Sequence, residues 1–257
     1  MQLTLLGAGS SAGTPVIGCQ CDTCRSNNPR NKRTRCSAAI TLPDGEVILI
    51  DTGPDLRLQA LREGLSRVDA VLYTHTHADH LHGIDDLRAF CQIQRAQIPL
   101  YGNADAVEHI RQKFAYTLRE PADFWDLPVL SIHQIDRAFE LFGVKITPIP
   151  VQHGRIGILG YRIGDMAYLT DVSEIPEDSL ALLDDLRILL LDCLRYKPHY
   201  THINLEQSLA YAGRIKARDT YMIHMTHELE YEALGKVLPE SVHVGYDGLK
   251  LSFDSHA

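Results

Sequence analysis

The stretch HTHADH at residues 75–80 decides the fold, because it places four potential metal ligands within six residues. It follows a short apolar run of strand-forming residues. Just past a strand, residues at i and i+2 face the same way, so His75 and His77 can point toward one centre. Asp79 and His80 turn back in the following loop or helix and reach a second position. Imidazoles combined with carboxylates suit zinc, manganese or iron, whereas solvated loop histidines, the alternative interpretation, rarely form such a cluster.

Around this stretch, short apolar runs predict strands, and intervening segments with helical spacing predict helices. The predicted strands are Met1–Leu6, Val47–Ile50, Ala70–Tyr73, Val144–Ile149, Ile158–Ile163, Ala167–Leu169, Ile188–Leu191, Tyr221–Ile223 and Leu249–Phe253. The predicted helices are Pro54–Leu65, Ala104–Leu118, Ser179–Leu186, Asn204–Ile215 and Leu229–Leu238. Asn204 and Gln207 have the spacing of a capping box. This mixture of elements predicts a layered α/β fold with helices packed outside sheets.

Polar side chains follow several predicted strands at the point where each strand ends. Asp171, Asp192 and His224 each come directly or almost directly after an apolar run, as His75 does. Neighbouring strand ends of α/β sheets meet at one cleft, where ligand sites are usually found. The sequence therefore predicts a cleft at these strand ends.

Residues 75–80 resemble the H-x-H-x-D-H signature of the metallo-β-lactamase superfamily, in which the motif also follows a strand. The remaining parts of that family pattern occur in order, each after a predicted strand: Asp51, His153, Asp171 and His224. The similarity spans nearly the whole chain. It implies an α/β fold, a four-layer αββα sandwich with two mixed sheets face to face. It also implies one hydrolase domain over residues 1–257.

The resemblance further implies two divalent metal ions in the active site, zinc or manganese. Asp51 supports the metal loop in this family and is not a ligand, whereas Asp79 is expected to serve in catalysis as well as in ligation. The implied first site is His75, His77 and His153; the second is Asp79, His80 and His224; and Asp171 bridges the two.

Two such ions offer a defined chemistry. Ions about 3.5–4 Å apart can share a water and lower its pKa toward 7, which gives a hydroxide nucleophile at neutral pH. The same ions bind phosphate oxygens and offset the charge that grows during transfer. The expected activity is therefore hydrolysis through a hydroxide held by both ions.

Cysteines at positions 19, 21 and 24 form a second candidate metal site. Three thiolates leave a tetrahedral zinc one ligand short, and His227, three residues after His224, is the expected fourth. The spacing favours a structural zinc bound by Cys19, Cys21, Cys24 and His227 over free thiols.

This cysteine loop, together with the stretches 202–205 and 244–248, resembles the cyclic phosphodiesterases of the carbon–phosphorus lyase pathway, which open 5-phosphoribosyl 1,2-cyclic phosphate. In those enzymes a histidine at the position of His202 is a candidate general acid; a helix neighbour without a catalytic task is the alternative. The segment 81–88 departs from that pathway enzyme and indicates a broader branch of phosphodiesterase-like proteins. The only tryptophan, Trp125, is expected near the cleft, either stacking on a sugar or base or as plain core.

The net charge limits the classes of partner that the protein is expected to bind. The 257 residues carry a formal net charge of −8, which disfavours nucleic acid and anionic membrane as partners. The amino terminus lacks the positive region of a signal peptide, so a cytoplasmic location is expected. A small phosphodiester is the expected substrate, and the family allows a homodimer. The alternatives are another hydrolase of this fold, a nuclease or thioester hydrolase, or a non-catalytic metal-binding accessory protein.

Overall fold

Most of the strands follow apolar runs of the sequence. The computed structural model describes residues 1–118 and 129–255. The strands within these ranges are β1 (Gln2–Gly7), β2 (Ser37–Thr41), β3 (Val47–Ile50), β4 (Ala70–Leu72), β5 (Ile98–Gly102), β6 (Leu130–Gln134), β7 (Phe139–Leu141), β8 (Val144–His153), β9 (Ile156–Ile163), β10 (Met166–Leu169), β11 (Ile188–Asp192), β12 (Asp219–Ile223), β13 (Val242–Val244) and β14 (Leu249–Ser252).

These strands form two mixed sheets. The first has the order β14-β1-β2-β3-β4-β5-β6, and the second has the order β13-β12-β11-β10-β9-β8-β7. In the first sheet β3 to β6 are parallel, whereas β14, β1, β2 and β3 pair antiparallel. In the second sheet β10 to β13 are parallel and β7 to β10 antiparallel. Because the carboxyl ends of parallel neighbours meet at one edge, each sheet presents several strand ends together.

Helices occupy the connections between strands. They are α1 (Asp22–Arg25), α2 (Leu56–Glu63), α3 (Ala78–Leu81), α4 (Leu87–Gln94), α5 (Ala104–Lys113), α6 (Glu177–Leu180), α7 (Leu205–Ile215) and α8 (Tyr231–Gly235). Single 3₁₀ turns lie at Pro29–Asn31, Ile84–Asp86, Ala115–Leu118 and Ala181–Leu183. The predicted capping box is present, since Asn204 and Gln207 bond reciprocally at the start of α7. No helix within the described ranges is long and apolar enough to span a bilayer.

Alternate residues of the strands separate the layers. Ile48 and Ile50 of β3 lie in a core shared with Ile146 and Leu190 of the second sheet. The intervening Leu49 faces away, into a cluster with Leu56, Ala60 and Leu87 of α2 and α4. On the far side, Leu189 and Leu191 of β11 pack with partly buried Tyr211 and Ile215 of α7. Both faces of each sheet are therefore covered, and the predicted αββα sandwich is confirmed.

Several elements differ from the sequence-based prediction. The short strands β2, β5, β6, β7 and β13 were not among the predicted runs. The predicted helix 104–118 ends at Lys113 and continues only as a 3₁₀ turn, because the amide of Phe114 closes the last helical bond. The predicted helix 179–186 is a single α-turn followed by a 3₁₀ turn. Trp125 lies outside the described residues.

Candidate metal centre

The side chains of the candidate centre lie at strand ends, as the sequence predicts. His75 follows β4, His153 ends β8, Asp171 follows β10 and His224 follows β12. Three residues next to strand ends have left-handed backbone conformations, with φ of 62° at Asp51, 56° at Asp171 and 57° at His224. Such conformations are rare for residues other than glycine and collect at functional sites. These strained backbone conformations turn the three side chains out of their strands and toward the cleft.

Three overlapping groups of potential ligand atoms form at this point; two of them share Asp171, and the third is Asp192, His202 and His224. Within each group the atoms lie no more than 4.8 Å from one another. The first group is His75, His77, His153 and Asp171, and the second is Asp79, His80, Asp171 and His224. The structure therefore brings together all seven side chains predicted as ligands, in the two sets predicted.

Asp171 belongs to both groups, and its two carboxylate oxygens face different histidines. Oδ1 lies 3.1 Å from Nε2 of His80 and 3.3 Å from Nε2 of His224. Oδ2 lies 3.8 Å from Nε2 of His75 and 3.9 Å from Nε2 of His153. A carboxylate with one oxygen toward each group has the geometry of a bridge between two cations.

The imidazole rings are oriented by bonds to their Nδ1 atoms. His153 Nδ1 donates to the carbonyl of Thr201 at 2.8 Å. His80 Nδ1 bonds Asp51 Oδ2 at 2.7 Å, and that carboxylate also accepts the amide and hydroxyl protons of Thr74. Because the hydroxyl proton of Thr74 goes to Asp51, its oxygen accepts from Nδ1 of His75 at 3.0 Å. In each case Nε2 is left to face the centre, the arrangement typical of histidine ligands.

The donor atoms meet the chemical requirements of a divalent ion. Nε2 of His75, His80 and His224 is buried without a hydrogen-bond partner, which is costly unless another group pairs with it. Burial lowers the pKa of His75 and His153, which keeps them in the neutral form that binds metal. Burial raises the pKa of Asp171, but His224 and His80 lower it more, so this carboxylate is ionised.

Carboxylates make the second group attractive to a cation. Burial by itself lowers the pKa of His80, but Asp171 and Asp51 raise it well above its usual value. His224 is affected in the same direction, because Asp171 and Asp79 outweigh its burial. Without a metal ion these raised pKa values favour protonated rings, and a divalent ion that displaces the two protons would supply the positive charge that the carboxylates attract. These residues therefore fit a metal centre.

Asp192, the last residue of β11, was not among the predicted site residues. Its Oδ2 accepts a hydrogen bond from Nδ1 of His202 at 3.1 Å and another from the amide of Val172. Its Oδ1 lies 3.4 Å from Nδ1 of His224. This fully buried carboxylate thus lies next to the Nδ1 atoms of both His202 and His224. The only sequence signal was an aspartate at the end of an apolar run.

His202 lies at the edge of the centre. Its Nε2 is 3.9 Å from Oδ2 of Asp171, and its ring packs 4.7 Å from that of His153 and 4.8 Å from that of His224. Only 10% of its side chain is exposed. His202 therefore lies against side chains of both groups, and its role as a general acid stays a prediction.

The predicted cysteine cluster is also assembled. Nδ1 of His227 lies 3.3 Å from Sγ of Cys19 and 3.4 Å from Sγ of both Cys21 and Cys24. Near-equal separations of one nitrogen from three sulfurs suit a tetrahedral ion with one nitrogen and three sulfur ligands. Cys21 is exposed, and the amide of Cys24 lowers its thiol pKa to about 7. These four residues fit zinc.

The segment from His224 to His227 joins the two sites, and its backbone is held on both sides. The amide of Met225 donates to Ala8, and the carbonyl of Met225 accepts from the amide of Ser10. The amide of Thr226 donates to the carbonyl of Leu194. Buried Arg33 donates to the carbonyls of Thr226 and Leu229. Both histidines therefore lie on one short segment after β12 whose backbone is hydrogen-bonded on both sides.

Comparison with known proteins gives matches over most of the chain. The model of the β-lactamase superfamily domain matches residues 46–225. A crystal structure of a diphosphatase from the PhnP family is 43% identical, with a TM-score of 0.93, and the alignment covers 99% of this chain and 98% of that one. Zn²⁺-bound PqqB from Methylobacterium extorquens is 20% identical, with a TM-score of 0.82 over 98% of this chain and 100% of that one, and so shows the same fold.

An octanoyltransferase of Porphyromonas gingivalis (strain ATCC BAA-308 / W83) is 39% identical over 259 residues. The alignment covers 99% of this chain but only 52% of that protein. The chain spans about half the length of the first curated relatives it matches.

Proposed function

The chain belongs to the β-lactamase superfamily, and on this premise we propose that it is a dinuclear metal-dependent phosphoric diester hydrolase acting on a small substrate. The observation that carries the proposal is the position of Asp171. Its two oxygens face two separate groups of histidines, which a mononuclear site would not require.

The first ion would be held by His75, His77 and His153, and the second by Asp79, His80 and His224, with Asp171 shared. Two divalent ions supply Lewis acidity, which lowers the pKa of water and offsets charge on phosphate. Asp51 and Thr74 hold the rings of His80 and His75 in place from behind. Cys19, Cys21, Cys24 and His227 would hold a separate structural zinc.

His202 is the candidate proton donor to the leaving oxygen. Its Nδ1 is hydrogen-bonded to Asp192, so the proton available for transfer is on Nε2, which faces the centre. Histidine suits this task because its ordinary pKa is close to neutral. Asp192 also keeps the ring from rotating away from the substrate.

The substrate class rests on the resemblance and on one relative. The cysteine loop and the sequence around His202 resemble cyclic phosphodiesterases, so 5-phosphoribosyl 1,2-cyclic phosphate is the first candidate. The PhnP-family relative is named a diphosphatase, which makes a phosphoanhydride the second candidate. Both reactions displace an alkoxide or phosphate from phosphorus, so one site serves either.

The test is turnover of a panel of cyclic diesters, linear diesters and diphosphates, with zinc, manganese and nickel supplied separately to metal-stripped protein. We expect hydrolysis of at least one phosphate ester or anhydride, restored by metal and absent without it. Elemental analysis of the purified protein should give about three ions per chain. A single ion per chain, together with no turnover of any compound, would overturn the proposal.

A further inference from the structure

The closing stretch of the chain, residues 244–248, contains an aspartate that the proposed chemistry does not use. Asp247 lies between β13 and β14, and only 7% of its side chain is exposed. Its Oδ1 accepts the amide proton of Ala8 at 2.9 Å. Its Oδ2 accepts the amide and hydroxyl protons of Thr34 at 2.8 and 2.6 Å, and a guanidinium proton of Arg62 at 3.0 Å. Donors from three other segments of the chain therefore meet at one carboxylate.

The bond to Ala8 connects Asp247 with the segment between the two candidate metal sites. The carbonyl of Ala8 accepts the amide proton of Met225 at 3.0 Å. Met225 directly follows His224 of the centre and lies two positions before His227 of the cysteine cluster. The φ of His224 is 57°, a conformation that persists only where the surrounding structure holds the backbone. Two hydrogen bonds in series thus join the carboxylate to the peptide unit that follows this strained histidine.

The bonds to Thr34 connect the same carboxylate with this segment by a second series of contacts. Thr34 follows Arg33, whose buried guanidinium donates to the carbonyls of Thr226 at 3.1 Å and Leu229 at 2.6 Å. The amide of Gly9 donates to the carbonyl of Thr34 at 2.8 Å. A Cβ atom at Gly9 would lie 2.8 Å from the carbonyl oxygen of Arg33, so the two stretches are in direct contact. Both stretches that hold the segment are therefore hydrogen-bonded to one side chain.

We infer that Asp247 is a positioning residue for both candidate metal sites, because it fixes the segment that carries His224 and His227. This inference rests on the proposed function, since both sites must bind metal. An ionised carboxylate suits the position, because it accepts hydrogen bonds at both oxygens and donates none. Residues that hold metal ligands from outside the site change metal affinity when they are replaced. Asp247 therefore couples the geometry of the histidine–carboxylate centre to that of the cysteine cluster.

The test is the removal of zinc from the zinc-loaded protein by a competing chelator, with the released ion measured by a colorimetric indicator. In Asp247→Asn an NH₂ group replaces one side-chain oxygen, so either Ala8 or Thr34 faces a donor in place of an acceptor. Both sites should then release zinc at about tenfold lower chelator concentration than in wild type. The same measurement in a Cys24→Ser background reports on the centre alone, and the difference between the two gives the cysteine site.

Asp69→Asn is the matched control for a general loss of stability. Asp69 also accepts a backbone amide, that of Val47 at 2.7 Å, and pairs with Arg67 at 2.8 Å. It precedes β4, however, whereas His75 follows the other end of that strand. Either substitution should lower Tm, but only Asp247→Asn should change the release of zinc. A lower Tm of Asp247→Asn with zinc release as in wild type would overturn the inference, because the role would then be structural only.

A change confined to one of the two sites would also overturn the inference, as would the absence of bound zinc from the wild type. If Asp247→Asn does not fold, Arg62→Ala removes one donor from the same carboxylate at a more exposed position. It should shift zinc release in the same direction by a smaller amount, and no shift would overturn the inference. Zinc release does not depend on turnover. Failure of this inference is therefore distinguishable from failure of the proposed hydrolysis, which the substrate panel measures.

Discussion

The histidine–carboxylate centre and the cysteine cluster are built on different principles. The centre collects candidate ligands from the ends of four strands and from the start of α3, and most of them are buried. Its rings are oriented by Asp51, Thr74 and Asp192 from behind. The cysteine cluster takes three candidate ligands from the short segment 19–24, includes exposed Cys21, and gains only His227 from elsewhere. The centre therefore depends on residues that the tertiary fold brings together. The cysteine cluster depends mainly on one short segment and connects that segment to His227.

Among the substitutions that would distinguish the two sites, the one at Asp171 is expected to have the largest effect. Asp171→Ala should lower kcat by about three orders of magnitude, because the bridge between the two groups is lost and several kcal/mol of charge stabilisation depend on it. At least one ion should leave the centre, while the cysteine site stays loaded. Kinetics and elemental analysis measure the two effects, with exposed Asp184→Ala as the control. Full metal content with a normal rate would show that Asp171 is not a ligand.

Substitution of His202 tests proton transfer separately from metal binding. His202→Ala should lower kcat about 100-fold for diesters with alkyl leaving groups, which need a proton, and change it little for p-nitrophenyl leaving groups. The metal content should be that of the wild type. Each substrate serves as the control for the other in steady-state assays. Equal losses on both would assign His202 to substrate positioning.

Substitution of Asp192 tests whether the residues that orient the histidine rings contribute to metal binding. Asp192→Asn should raise the zinc concentration needed for half-maximal activity by about tenfold or more, because His224 and His202 lose a shared carboxylate. Titration of metal-stripped protein with zinc gives this value. The zinc of the cysteine site should bind as in wild type. An unchanged titration curve would mean that Asp192 only satisfies the amide of Val172.

The smallest effect on activity is expected at the cysteine cluster. Cys24→Ser should release one zinc and lower Tm by roughly 5–10 °C, because metal binding contributes to folding there. The kcat should stay within about twofold of wild type. Cys91→Ser, at a buried cysteine outside the cluster, should leave the zinc count unchanged. Lost turnover without any change in zinc or Tm would contradict the assignment of a structural site.

The sequence predicts those parts of the fold that leave a local pattern. The ligands of residues 75–80 and the capping box at Asn204 depend on neighbours in the chain, so their spacing reveals them. The strands β6, β7 and β13 do not, because they are short or carry half-buried and exposed residues, and only pairing within the sheet makes them strands. The layered α/β architecture nevertheless follows from the longer apolar runs.

The candidate site shows the same division. His153, Asp171 and His224 could be selected only through the family pattern, since a lone histidine or aspartate after a strand is usually structural. Asp192 has that same appearance, and its role depends on the distances to His202 and His224 that folding creates.

The hydrogen-bonded segment between His224 and His227 limits the insertions and deletions that such chains can accept there. Because both candidate sites include a histidine of this segment, inserting or deleting a single residue there would displace a candidate ligand. The two candidate sites therefore require a fixed number of residues in this segment. Variation in the spacing of these two histidines should therefore occur only in relatives that lack one of the two candidate metal sites.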